Sequence, residues 1–242
     1  MRSRQPESAD PAFLNEKTAR KQAERQLLQD ALAGGLEAAP IAWTPGNAIA
    51  PALLASPRLR LRPWKDADRD PFAAMTADPE VMRHFPAVLT REQSDAWIDR
   101  MSRKISERGW GLWALDYLAE GAPAPQFAGF TGLNIPDPQF PLGPCVEVGW
   151  RLAQRFWGLG LASEAGRMAL RAGFEALGLE EIVAMTTLRN TRSRAVMQRL
   201  GMQESPADEF DHWAYPTDSP ERRCCVYRLP RARWAANPQN RS

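Results

Sequence analysis

The sequence predicts a layered α/β domain that follows an N-terminal extension. Three observations carry this. Short segments alternate apolar and polar residues with the two-residue period of a strand, while others repeat with the 3.6-residue period of a helix. Capping residues and glycines punctuate the junctions between the two kinds. One glycine-rich turn leads directly from a strand into a helix, at Trp157-Gly158-Leu159-Gly160-Leu161-Ala162.

The elements follow in chain order. Residues 1–57 form an extension, with a possible helix over 14–33. Ala23, Leu27, Leu28, Ala31 and Leu32 recur at helical spacing there, and Gly34-Gly35 would stop it. A linker rich in Pro, Ala and Gly follows, through Pro40, Pro45, Gly46, Pro51 and Pro57. The domain spans 58–236, with a tail at 237–242. Leu59 and Leu61 alternate with Arg58, Arg60 and Arg62 as in a short strand. Asp66 to Met75 reads as a helix with acidic residues in its first turn. Asp78-Pro79-Glu80 reads as the start of another short helix, with Pro at its first position. Thr90-x-x-Gln93 is a capping box before a helix to about Arg108. Strands are expected over 111–118, 127–133 and 145–152, the first two joined as a hairpin. Helix 160–177 carries the apolar stripe Leu161, Ala165, Met168, Ala169, Ala172 and Ala176. A strand over 181–188, a helix over 190–200 stopped by Gly201, and a strand over 224–229 complete the series.

Composition narrows the function classes. The chain has 242 residues, 44% of them hydrophobic and 25% charged, as in a soluble globular protein. A formal net charge of +2 gives no support to nucleic-acid binding. No apolar run is long enough to span a membrane, and the polar N-terminus lacks the apolar core of a secretory signal. These features point to the cytoplasm. Cys145, Cys224 and Cys225 have no framework spacing, and His84 and His212 lie far apart, so neither a disulfide scaffold nor a metal site is expected.

The turn at 157–162 is the most informative junction. A helix N-terminus leaves backbone N–H groups unpaired, and with the helix dipole they attract an anion. Two glycines and an alanine let a diphosphate approach the backbone closely. A tight turn needing glycine for its conformation alone is the competing reading. Gly158-x-Gly160-x-x-Ser163 lacks the third glycine of a dinucleotide fingerprint, and the acidic pair Glu180-Glu181 precedes the next strand instead of ending it. No Lys-Ser or Lys-Thr follows the glycines, which excludes a Walker loop.

Around this turn the sequence resembles the GNAT-type N-acetyltransferases, over roughly residues 58–234. The family's motif Gln/Arg-x-x-Gly-x-Gly/Ala falls on Trp157 to Ala162, with Trp157 in place of the usual Gln or Arg. Trp157 and the continuation Ser163-Glu164-Ala165 resemble the branch that acetylates the N-termini of ribosomal proteins. Three further stretches agree in order. Glu147 to Leu152 resembles the strand before the turn, Asn190 to Met202 the helix led by Asn-x-x-Ser, and Tyr227 to Trp234 the closing strand. The resemblance implies a mixed, mostly antiparallel central sheet, splayed at the cofactor site and flanked by helices on both faces. It also implies acetyl-CoA as co-substrate, with no metal, and an amine acceptor that is a protein N-terminus or a small molecule. The protein would be a monomer or homodimer.

The resemblance implies roles for particular residues. Leu152 would offer backbone hydrogen bonds to pantetheine. The amides of Gly158, Leu159, Gly160, Leu161 and Ala162 would hold the diphosphate beside Trp157. Asn190 would touch the cofactor arm, and its residue type also suits a helix cap. Arg192, Arg194 and Arg199 would face the remote phosphate or solvent. Glu147 is the candidate base, or else a surface carboxylate or a partner for Arg151, and alternation places it with Arg151 on the face opposite Val146, Val148 and Trp150. Many relatives place a Tyr seven residues after the Asn. Here that position is Met197, which leaves Ser193, or Tyr215 if the 210–220 loop folds inward, to protonate the thiolate. His84, Phe85, Trp110 and Trp113 are candidate walls of the acceptor pocket, which the stretch His212 to Tyr215 could cover. A non-catalytic acyl-CoA-binding or regulatory module is the alternative, kept open by Met197.

Overall fold

A computed structural model describes residues 49–137 and 139–237. The expected helix over 14–33 and most of the linker lie outside the described residues. Residues 49–56 pack onto the domain. Ile49 is buried in its core, and Pro51–Leu54 makes a single helical turn.

Eight strands among the described residues form one sheet. In chain order the elements are β1 (Leu59–Arg62), α1 (Arg69–Ala77), α2 (Arg91–Arg108), β2 (Leu112–Tyr117), β3 (Gln126–Asn134) and β4 (Glu147–Leu152). Then come α3 (Leu161–Arg171), β5 (Glu181–Thr187), α4 (Thr191–Arg199), β6 (Gln203–Glu204), β7 (Phe210–Asp211), β8 (Arg223–Pro230) and α5 (Arg231–Ala236). The spatial order is β1-β2-β3-β4-β5-β8-β6, with β7 also paired to β8. Every pairing is antiparallel except β4 with β5.

That parallel pairing is brief. β3 holds β4 along its whole length, from Gly129 opposite Leu152 to Asn134 opposite Glu147. β5 is held as fully by β8, from Glu181 opposite Pro230 to Thr187 opposite Cys224. Between β4 and β5 only Glu147 and Val183 are in register, and the Val183 N–H donates to the Val146 carbonyl at 2.9 Å. Beyond that point the two strands part. The sheet is therefore splayed at its centre, with each half anchored by its outer neighbour.

Helices cover both faces. On one face α1 and α2 rest on an aromatic cluster in which Phe72 stacks on Trp97 at 4.8 Å and Trp97 meets Phe130 at 4.8 Å. The capping box that starts α2 forms as its sequence pattern requires. The Thr90 hydroxyl accepts from the Gln93 amide at 3.3 Å, and the Thr90 amide donates to the Gln93 side chain at 2.9 Å. On the other face α3 lays Leu161, Ala165, Met168 and Ala169 into the core. Gly166 lets it come close to Trp150 and Leu200. The helix widens to a π turn over Ala172–Ala176, and Phe174 in that turn stacks on Trp234 of α5 at 5.4 Å.

Two expectations need correction, and two short strands went unread. Residues 79–84 form consecutive turns instead of a helix, although the Met82 amide does reach the Asp78 carbonyl at 3.0 Å. The Asp78 side chain takes the Glu80 amide at 2.8 Å, a local turn that competes with helix propagation. The closing strand ends at Pro230, and α5 begins there. The two-residue strands β6 and β7 carried no readable period.

Candidate functional site

The splay leads into the glycine turn. After β4, Gln154–Phe156 makes one helical turn and the chain reaches Trp157 in an extended conformation. Gly158 and Gly160 have φ of +78° and +76°, a left-handed conformation that side chains disfavour. Gly160 is the N-cap of α3 and brings no side-chain acceptor. Among the described residues no side chain takes the first-turn amides, so α3 presents bare donors and the positive end of its dipole.

The turn is braced from three sides. The Trp157 indole N–H donates to the Leu152 carbonyl at 2.8 Å, tying the turn back to the end of β4. The Arg192 guanidinium lies 4.5 Å from the centre of the Trp157 ring and also reaches Glu80 at 3.4 Å. Arg58 donates to the Leu159 carbonyl at 3.2 Å and to Glu164 at 2.8 Å, while the Ser56 hydroxyl donates to Glu164 at 2.6 Å. Glu164 stands in the first turn of α3, where its charge would repel an anion. Arg58 balances that charge. Sequence reasoning missed Arg58 and Ser56 because their partner lies more than a hundred residues away.

Asn190 caps α4. Its side-chain oxygen accepts from the Ser193 amide at 3.1 Å, and its amide donates to the Thr186 hydroxyl at 2.9 Å. Ser193 is half-buried in the first turn of α4. Met197 is 1% exposed and packs in the core. Arg194 is committed to structure, donating to Glu204 at 2.8 Å and to the Leu188 carbonyl at 3.2 Å. Arg192 and Arg199 are exposed.

Glu147 sits where β4 and β5 are still paired. Its carboxylate accepts from Asn134 at 3.2 Å, and Asn134 in turn accepts from Lys104 of α2 at 3.3 Å. Burial pushes the Glu147 carboxyl above the usual carboxylate range, against the opposing pull of Asn134 and Lys104. Burial also lowers the Lys104 ammonium. Glu147 and Arg151 form no ion pair. Arg151 lies further along β4, with its guanidinium carbon 3.7 Å from the Phe85 ring centre and 5.4 Å from that of Phe130.

Two loops meet over the opened end of the sheet. The 210–220 loop folds inward, leaving Tyr215 7% exposed, and its hydroxyl donates to the His84 carbonyl at 2.8 Å. Burial raises the Tyr215 phenol well above its ordinary value. The His84 ring meets Glu221 at 2.8 Å through Nδ1, and the same carboxylate accepts from the Thr187 hydroxyl at 2.6 Å. Burial lowers His212 to about 4, so it is neutral at pH 7. His84 and Phe85 thus stand beside Arg151 and Tyr215. Trp110 and Trp113 are 1% and 2% exposed, inside the core, and fall outside this grouping. Trp113 lies within β2 and Trp110 just before it, and both are buried packing residues. Glu221 gave no sequence signal, since it lies in an irregular segment.

Among the described residues no group of three or more His, Cys, Asp or Glu side chains is placed to hold a metal ion. Likewise no described helix is long and apolar enough to cross a membrane.

The comparisons with known proteins agree with this geometry. Residues 58–203 match the family model described as an acetyltransferase (GNAT) domain. The FsC-acetyl coenzyme A-N(2)-transacetylase of Aspergillus fumigatus is 31% identical over 186 residues, covering 73% of this chain and 75% of the relative. The uncharacterized N-acetyltransferase YoaA of Bacillus subtilis is 25% identical over 154 residues, covering 63% of this chain and 83% of the relative. In fold, the chain resembles the GNAT-family acetyltransferase from Bacillus anthracis at a TM-score of 0.60, with 21% identity, covering 74% of this chain and 98% of that one. A splayed sheet, an uncapped helix behind a left-handed glycine turn, and a family match over most of the domain lead to one conclusion: the chain belongs to the GNAT acetyltransferase family.

Proposed function

We propose that the protein transfers the acetyl group of acetyl-CoA to a primary amine, of a protein N-terminus or a small molecule, by direct attack in a ternary complex. The observation that carries this is the parting of β4 from β5 immediately before the turn at 157–162. The opening offers room for an extended arm, and the head of α3 offers donors for a diphosphate. The residues fit acetyl-CoA, which would supply an activated thioester. The amides of Gly158, Leu159, Gly160, Leu161 and Ala162 hold the diphosphate. Trp157 and Leu152 fix the corner, and Asn190 borders the arm from α4. Exposed Arg192 stands ready for a phosphate oxygen. The relative from A. fumigatus, named for acetyl-CoA N(2)-transfer, supports both the donor and the kind of acceptor atom.

Glu147 takes the proton that an ammonium must lose, directly or through water, and its raised pKa suits that task. Tyr215 and Ser193 compete to return a proton to the thiolate. Tyr215 stands where the two loops meet over the opened end of the sheet, and that position favours Tyr215. His84 and Phe85 wall the acceptor. The likeness of Trp157-Gly158 and Ser163-Glu164-Ala165 to the ribosomal-protein branch keeps peptide N-termini among the acceptors. A thiol-release assay across amines and N-terminal peptides tests the reading, with the product identified by mass. At least one amine should release thiol and gain an acetyl group. Tight acetyl-CoA binding with no release from any acceptor would leave only a binding module.

A further inference from the structure

Several half-buried arginines of the fold meet carboxylates, and Arg151 meets none among the described residues. Arg62 donates to Asp68 at 2.7 Å and to Asp116 at 2.6 Å. Arg194 and Arg228 likewise meet Glu204 and Asp208 at 2.8 and 2.6 Å. Arg151 makes no ion pair among the described residues, and its Nε is buried with no hydrogen-bond partner. Its neighbours are two aromatic rings, Phe85 and Phe130. Neither Glu221, which is engaged with His84 and Thr187, nor Glu147, which is engaged with Asn134, pairs with it. The Tyr215 hydroxyl donates to the His84 carbonyl instead of accepting from Arg151. Burial therefore acts on Arg151 with little compensation and lowers its pKa to about 10, which still leaves it cationic at pH 7.

A cation in this position is costly unless an anion arrives to meet it. The residue is not sealed off, since part of it still reaches solvent. It stands on the splayed strand, on the face carrying Glu147 and between the two loops that wall the acceptor side. We propose that Arg151 is a specificity-determining residue that pairs with a carboxylate on the acceptor amine, so that the preferred substrate class is a small amino acid or another amine bearing a carboxylate. This rests on the transferase reading above and narrows its acceptor. Guanidinium meets carboxylate through two parallel hydrogen bonds, and Phe85 holds its plane for that approach. A polypeptide N-terminus offers only a neutral peptide carbonyl in the same place.

The test compares free amino acids with their amides as acceptors for the full chain, in the wild type, Arg151→Met and Arg151→Lys. The amide amine is the less basic, so intrinsic reactivity favours the amide. The proposal predicts the opposite order, with kcat/KM for the acid higher by about tenfold or more, mainly through KM. Arg151→Met should abolish that preference and Arg151→Lys retain part of it, while acetyl-CoA affinity and Tm confirm an intact fold. Equal kcat/KM for acid and amide in the wild type, or a preference unchanged in Arg151→Met, would overturn it. Turnover of peptides or amides alone leaves the transferase reading standing and removes this one. If no amine releases thiol, titration of N-acetylated amino acids and their amides against the protein decides. Tighter binding of the acids, lost in Arg151→Met, supports the anion site, and equal binding refutes it.

Discussion

Glu147 joins burial, chemistry and pH at one side chain. Its carboxyl is raised by desolvation, so it ionises nearer to neutrality than an exposed glutamate. As a base it works only when ionised, and turnover should rise with pH through that raised pKa. Glu147→Gln should lower kcat at least tenfold and flatten the rising limb of the pH profile, with acetyl-CoA affinity unchanged. The stability effect has the opposite sign from a usual carboxylate. A folded-state pKa above the unfolded value means stability is full at low pH and declines as pH rises through the folded pKa. Glu147→Gln should therefore not lower Tm at pH 7, and a clear fall in Tm would show that the attraction of the charge to Asn134 and Lys104 outweighs the burial cost. Tyr215→Phe and Ser193→Ala separate the two candidate proton donors. The larger loss of kcat should fall on Tyr215→Phe, and wild-type turnover there would return the role to Ser193. Asn190 was legible twice over, because an asparagine before a helix reads as a cap whatever else it does. Tyr215 was legible only conditionally, since its position depends on a loop without periodicity.

At the scale of elements, the strand–turn–helix unit behaves as its sequence prescribes. Gly160→Ala puts a side chain at φ +76° with only Arg58 in ordinary contact at 3.7 Å, so the cost is conformational. That cost is about 1–2 kcal/mol. It should appear as an affinity for acetyl-CoA about tenfold weaker, read by calorimetric titration. Trp157→Phe removes the indole bond to the Leu152 carbonyl and should also weaken binding. The helices were legible where caps and period agree, as at Thr90 and along α3. They were not where a local side-chain turn competes, as at Asp78, or where two-residue strands such as β6 leave no period to read. The splay itself came from the family resemblance. No local propensity encodes where two parallel strands stop pairing.

Across the whole molecule, long-range polar contacts fasten segments that periodicity cannot connect. Arg62 of β1 grips Asp68 ahead of α1 and Asp116 of β2, and both aspartates are buried. Arg62→Met would strand two buried carboxylates and should cost roughly 3–5 kcal/mol in urea unfolding, with a matching fall in Tm. Arg58 does for the turn what Arg62 does for the helix layer, joining the chain before β1 to Glu164 in α3. Neither partnership was legible, because charge pairing over such separations follows from the fold and not from spacing. The central claim is that the head of α3 is a diphosphate site serving acetyl transfer. Calorimetric titration with acetyl-CoA and with S-acetylpantetheine, which lacks the diphosphate, tests it most directly. The α3 amides and their dipole should make acetyl-CoA bind at least about a hundredfold more tightly, equivalent to roughly 3 kcal/mol. Equal affinity for the two ligands would contradict it.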